Sequence, residues 1–328
     1  MVLVRRRQLL LASGALLAAS SGLAQAQTQL PRVGVLSPGA GEFIESPVWR
    51  SFLLGLSETG WTDGRNVEIV RRYTESKQER VQAAAAEFVK MKVDVLYASG
   101  PTMIVAARRA TGEIPIVGND LESDPVALGF ASSLARPGGN FTGVFLDVPE
   151  LMGKHLDLLR EMIPGLSRVG VVGDPAVNAA QFHAAGEAAK RLGLQLKTLE
   201  FRRPEDLDAA FADAAKSGLQ ALVLFSSPPL WLAQKKAGEL AARYRVPAIS
   251  VFGELTRAGV LMSYGPRLTD VFRRCGSQVG RILKGEKVAT MPIERPHVFE
   301  FVVNAKAAKG LGLKVPQSLL VRADEVIQ

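Results

Sequence analysis

The sequence predicts an α/β protein built from two doubly wound parallel-sheet lobes joined by three chain segments. Three observations lead there. Short apolar runs alternate with amphipathic helical stretches, the pattern of parallel strands linked by helical crossovers. That pattern is written twice, with an offset of about one domain length. The 328-residue chain, 47% hydrophobic, is long enough for each half to bury its own core.

In the first half RVGVLS (32–37) reads as a buried strand, and Trp49, Phe52, Leu53 and Leu56 then recur at helical spacing. NVEIVRRY (66–73) alternates as a strand, and Val81, Ala84, Ala85, Phe88 and Val89 make a helical stripe. VDVLYAS (93–99) is a strand closed by Ser99-Gly100-Pro101-Thr102, a helix follows, and IPIVGND (114–120) is a strand with a polar end. The second half opens with RVGVVGD (168–174), whose first four letters repeat those at Arg32. A helix is expected over 177–192, a strand over 194–201 and a helix after Pro204. ALVLFSS (221–227) mirrors VDVLYAS, a helix is expected over 228–244, and VPAISVFGE (246–254) mirrors IPIVGND. The tail adds a strand, VLMSYGP (260–266), and an amphipathic helix with Val271, Phe272, Cys275, Val279, Ile282 and Leu283 on its apolar side. A further strand, HVFEFVVN (297–304), a short helix and a segment containing Pro316 follow.

The turn RPGG runs directly into NFTGVF (140–145), which is expected to leave the first lobe and enter the second. LMSYGP carries the chain back, and 291–296 crosses a third time. Lobe 1 then comprises 31–144 plus 266–292, and lobe 2 comprises 145–265 plus 293–328. Gly143, Val144, Phe145, Tyr264, Gly265 and Pro266 are the expected hinge residues.

Residues 1–26 read as a secretory signal peptide: Arg5, Arg6 and Arg7, an uncharged apolar run, then Ala24-Gln25-Ala26 as a cleavage site. The twin Arg also permits twin-arginine export. Loss of those three Arg leaves 37 basic against 32 acidic residues, a mild net +5 spread along the chain. No nucleic-acid stripe follows from that distribution. Cys275 is the sole cysteine, so no intrachain disulfide and no lipid anchor after the signal are expected. No later stretch is apolar enough to insert stably in a membrane. His155, His183 and His297 lack metal-ligand spacing, and VGVVGD lacks the glycine spacing of a dinucleotide loop. Asn140-Phe141-Thr142 matches a glycosylation sequon that a bacterial-style signal makes idle. No metal, cofactor or catalytic residue is expected.

Open parallel sheets bind ligands beyond the carboxyl ends of their strands, so two facing lobes create a cleft. The candidate ligand-binding residues sit at those ends. Ser37 offers a hydroxyl before the pliable Gly39 and Gly41. Ser99, Gly100 and Thr102 open a helix whose N–H groups attract a carboxylate, or serve only as its cap. Asp120, Glu122 and Asp124 offer carboxylates to an ammonium group, with capping the alternative for Asp124. Ser226 and Ser227 take the matching place in lobe 2, followed by Phe252 and Glu254. Tyr264 either stacks on a ligand or packs the hinge.

The stretch SDPVALGFASSLARPGGNFTGV (123–144) closely resembles the signature of the ABC-transporter substrate-binding family that includes tryptophan- and phenylalanine-binding lipoproteins. GVLMSYGPRLTDVFRRCGSQVGRILKGEK and LGLKVPQSLLVRADEVI resemble the closing segments of its proteobacterial members, so the resemblance covers essentially the whole mature chain. It implies a type I periplasmic binding protein with three crossovers. Such a protein captures a small solute, an amino acid or a related compound, and delivers it to an ABC permease; lipid-anchored relatives carry a cysteine after the signal, and this chain, which has none there, is expected to be a free periplasmic monomer. The chain departs from the family at Ser99-Gly100-Pro101-Thr102, where relatives often show Ala-Thr-Pro, and at Ser226-Ser227-Pro228-Pro229, where they tend to show Thr-Asp-Asn. A ligand sensor for a membrane signalling partner and an exported α/β hydrolase are the alternatives; the chain has no G-x-S-x-G elbow.

Overall fold

The apolar runs of the first half become five parallel strands in one sheet. The computed structural model describes residues 30–39, 45–75, 77–146 and 148–328; the expected signal peptide and Gly41 lie outside them. The strands are β1 (Arg32–Ser37), β2 (Glu68–Tyr73), β3 (Val95–Ser99), β4 (Ile116–Asp120) and β5 (Phe141–Phe145), in the order β2-β1-β3-β4-β5. Helices α1 (Pro47–Glu58), α2 (Gln78–Lys90) and α3 (Pro101–Ala110) make the crossovers. α1 starts where the sequence says a helix can: Ser46 Oγ accepts the Trp49 N–H at 3.1 Å, and Pro47 takes the first turn, where its missing N–H costs nothing. Because the sheet is covered on both faces, alternate residues of one strand feed two cores. Val33 and Val35 face Trp49 and Phe52 of α1, whereas Leu36 faces Val81 and Phe88 of α2.

The second half repeats the topology. After α4 (Met152–Met162) come β6 (Arg168–Gly173), α5 (Ala179–Leu192), β7 (Gln195–Glu200), α6 (Asp206–Lys216) and β8 (Ala221–Leu224). Then follow α7 (Pro228–Leu232), α8 (Gln234–Tyr244), β9 (Ala248–Ser250), α9 (Gly253–Arg257) and β10 (Met262–Pro266). The order β10-β9-β8-β6-β7 matches, strand for strand, that of the first sheet read from β5 to β2. Two strands extend this sheet. β11 (Phe299–Asn304) pairs antiparallel with β10, and β12 (Glu325–Ile327) pairs parallel with β11. Between these last strands lie α11 (Ala305–Gly310) and α12 (Gln317–Arg322).

Three local expectations are corrected. The helix expected over 228–244 breaks at Ala233 into α7 and α8, and no residue there forces the break. The strand expected through 254 stops at Ser250, whose hydroxyl donates to the Phe252 carbonyl at 3.1 Å; Gly253 and Glu254 then open α9. α4, unassigned in the sequence, forms under the second sheet with Met152, His155, Leu156 and Leu159 buried.

α10 (Leu268–Leu283) follows the strand β10 of the second sheet, yet packs back on α1 of the first lobe. The helices approach so closely that a Cβ on Gly276 would lie 2.0 Å from the Phe52 carbonyl oxygen, so only glycine fits. Burial of Val271, Phe272 and Cys275 with Tyr97 and Phe52 fixes the crossing. Fully burying each large side chain contributes about 1.5–3 kcal/mol.

Two of the expected crossings, at 142–145 and 291–294, run side by side. The Phe145 N–H donates to the Glu294 carbonyl and the Glu294 N–H to the Gly143 carbonyl, both at 2.8 Å. The Thr142 hydroxyl donates to the Met291 and Pro292 carbonyls at 3.1 and 3.0 Å. The Arg274 guanidinium reaches Glu294 at 2.5 Å, and Gln278 Nε2 donates to Glu294 at 3.0 Å. At Gly143 a Cβ would fall 1.9 Å from the Gly118 carbonyl oxygen, so this crossing admits no side chain.

Candidate functional site

The carboxyl ends of both sheets point at each other, and a small cavity of about 70 Å³, partly continuous with solvent, lies between them. Lobe 1 lines it with Ser37, Ser99, Gly100, Asn119 and Glu122 from the ends of β1, β3 and β4. Lobe 2 contributes Ser227, Pro228, Trp231 and Phe252 from the ends of β8 and β9, and α10 adds Leu268 and Phe272. The lobes touch: Ser226 Oγ donates to Glu122 Oε1 across the cleft, and a Cβ on Gly100 would meet the Pro228 ring at 3.5 Å.

The two helix starts at the cleft differ. α7 is capped by its own sequence, Ser227 Oγ accepting the Leu230 N–H at 3.3 Å. α3 begins at Gly100, which has φ +90° and makes no side-chain cap bond. That backbone conformation favours glycine; the Gly100 N–H goes to the Asn119 carbonyl, Pro101 brings none, and the ten-residue helix starts beside the cavity wall without a side-chain cap. Ser37 is buried at the neighbouring strand end; its Oγ accepts the Gly39 N–H at 3.3 Å, a turn bond that leaves the hydroxyl its donor. The Tyr97 hydroxyl donates to Asn119 Oδ1 at 2.6 Å and orients that amide in the wall.

Glu122 is the one ionisable side chain among the described residues lining the cavity. Burial and then the charge of Asp120 push its carboxyl up to about 8, against a stabilising bond from Ser226. Asp120 is fully buried behind it, and desolvation raises its carboxyl as well. Its Oδ1 accepts the N–H groups of Glu122 at 2.8 Å and Ser123 at 3.1 Å, whereas Oδ2 is buried without a hydrogen-bond partner. The opposite wall is apolar. Trp231 and Phe252 meet edge to face with centroids 5.8 Å apart.

The structure places the sequence candidates unequally. Ser37, Ser99, Gly100 and Ser227 line the cavity; Ser226 stands just behind, bonded to Glu122. Thr102 lies outside, in a wider outer groove with Glu75, Lys77, Arg202 and Arg203. Asp124 is exposed, its Oδ1 accepting the Val126 and Ala127 N–H groups, the capping role that competed with binding. Glu254 is turned away, near Arg257 at 3.9 Å; burial first, then Glu300, pushes its carboxyl up to about 7. Tyr264 stacks on Phe299 and lies under Lys154, packing the crossing instead of the cavity. Its carbonyl accepts the His155 Nε2–H at 2.7 Å, and burial holds that imidazole down at about 4. Trp231, Phe272, Leu268, Leu121 and Asn119 join the wall without having been singled out. A signal for Trp231 existed: it follows four residues after Ser227, at the end of the run ALVLFSS. Phe272 gave none, because it belongs to the apolar stripe of α10.

Among the described residues no cluster of His, Cys, Asp and Glu is arranged to hold a metal, and no helix is long and apolar enough to cross a membrane.

A family model described as ABC transporter substrate binding protein matches residues 47–327. A tyrosine-binding protein of Clostridioides difficile is 23% identical over 284 residues, covering 84% of this chain and 81% of the relative. Among solved structures, a conserved domain protein of Vibrio cholerae superposes with a TM-score of 0.83 at 22% identity. An ABC domain from Streptococcus pneumoniae in complex with L-Trp superposes with a TM-score of 0.82 at 21% identity. Both cover 91% of this chain and 100% of their own. The fold is thus that of type I periplasmic binding proteins, and the chain belongs to the ABC transporter substrate-binding protein family, whose members here are solute-binding proteins and not enzymes.

Proposed function

We propose that this member of the substrate-binding family captures an amino acid, or a related small organic amine, with an apolar or aromatic side chain, and delivers it to an ABC permease. The observation that carries the reading is the division of one cavity between a carboxylate, an uncapped helix start and an aromatic wall. The ligand ammonium meets Glu122 through charge-assisted bonds. The carboxylate meets the start of α3 with the hydroxyls of Ser37 and Ser99. The side chain lies among Trp231, Phe252 and Phe272. A tyrosine-binding relative and an L-Trp complex in a similar fold support the ligand class. The lobes divide at the three crossings near 144, 266 and 292, which act as the hinge. Export by the signal at 1–26 places a free monomer in the periplasm.

Closure requires that the solute bind the shut cleft better than the open one. The test is a thermal-shift screen over L-amino acids, their decarboxylated amines and sugars, with mass spectrometry of any solute retained through purification. At one hundred times its dissociation constant, the right ligand stabilises by about 2.7 kcal/mol. A shift with sugars and none with amino acids or amines contradicts the reading.

A further inference from the structure

We propose that Asp120 and Glu122 hold one proton between them in the ligand-free cleft and that a ligand ammonium group replaces it, so that capture releases a proton to solvent. The proposal deepens, and rests on, the reading of the cleft as an amine-binding site.

The two carboxyls leave the same strand end two residues apart and have no cation to share. Around Glu122 stand Ser99, Asn119, Ser227, Leu268 and Phe272 of the cavity wall, with Ser226 bonded to it; beside Asp120 lie Ser123, Phe145 of β5 and Leu146; none of these carries positive charge. No Lys, Arg or His lines the cavity among the described residues. Two carboxylates so placed do not both ionise. Asp120 Oδ2, buried with no hydrogen-bond partner, is the acceptor such a proton satisfies. An ammonium group brings three N–H donors and a full charge to the same place. The balance is simple: the pair gives one proton to solvent, the ligand keeps its own, and no covalent bond forms or breaks beyond that O–H.

The sign follows from Glu122, raised to about 8 in the ligand-free protein. Below that pH the free pair keeps its proton and the bound pair does not. Affinity therefore rises with pH, approaching about tenfold per unit, and flattens near the raised value.

The test has two arms. In the first, ¹³C-carboxyl NMR follows the ligand-free wild type, Glu122→Gln and Asp120→Asn. One carboxyl titrating above pH 7, absent from Glu122→Gln, is the expected result; two carboxyls ionised at pH 7 overturn the proposal. In the second, calorimetry with L-tyrosine and L-tryptophan at pH 7 is run in phosphate and in Tris. Expected is release of about one proton per ligand, lost in Glu122→Gln. Binding with buffer-independent heat overturns the exchange. If the carboxyl titrates high but neither amino acid nor its decarboxylated amine binds, the amine-site reading has failed and the exchange falls with it, leaving the shared proton alone.

Discussion

Lobes 1 and 2 share a strand order and meet at equivalent strand ends, yet bring opposite chemistry to the cleft. The end of β3 gives Ser99 and an uncapped helix start; the equivalent end of β8 gives Ser227, which caps its own helix. The end of β4 leads to Asp120 and Glu122; the end of β9 leads to Phe252. Topology therefore fixes where the site lies, and the few residues past each strand end fix what it does. On the proposed reading, lobe 1 grips the polar head of the solute and lobe 2 closes over it as an apolar lid.

That asymmetry breaks or sharpens in a definite order. Glu122→Ala removes the head contact and leaves Ser226 and Asp120 without their neighbour; affinity for an amino acid should fall about one hundredfold, the size of a lost charge-assisted bond. Trp231→Ala thins the lid, and calorimetry with stopped-flow should show about a tenfold loss carried mainly by faster dissociation. Ser226→Ala cuts the direct bond between lobes without touching the ligand, so a loss of about threefold is expected, with the head contacts intact. Asp124→Ala should leave affinity unchanged and lower stability by about 1 kcal/mol through its loop, measured by denaturant titration. Equal losses from Glu122→Ala and Asp124→Ala would erase the distinction between cleft and loop.

The sequence carried the fold because buried parallel strands leave little freedom: RVGVLS and RVGVVG read as strands in any context that covers both faces. The resemblance carried by 123–144 pointed to the same architecture, and the family match bears it out. α4 escaped notice although Met152, Leu156 and Leu159 follow helical spacing, because it stands outside the repeated pattern. The antiparallel β11 was legible as a strand, but its direction depends on where α10 sends the chain, which is a tertiary matter. The site was half legible. Ser99 and Ser227 follow from strand ends alone. The turn after β4 decides that Glu122, and neither Asp120 nor Asp124, faces the cavity, since Asp120 folds back onto two backbone N–H groups. Phe272 reaches the cavity from a helix that periodicity assigns wholly to the core.

The most direct test places spin labels at the exposed Arg109 of lobe 1 and Leu232 of lobe 2 and measures their separation by pulsed dipolar spectroscopy, with and without saturating amino acid. Hinged capture predicts a broad, longer distribution in the free protein that collapses to one short distance with ligand, and fails to collapse in Glu122→Ala. A single distance, identical with and without ligand, would contradict it.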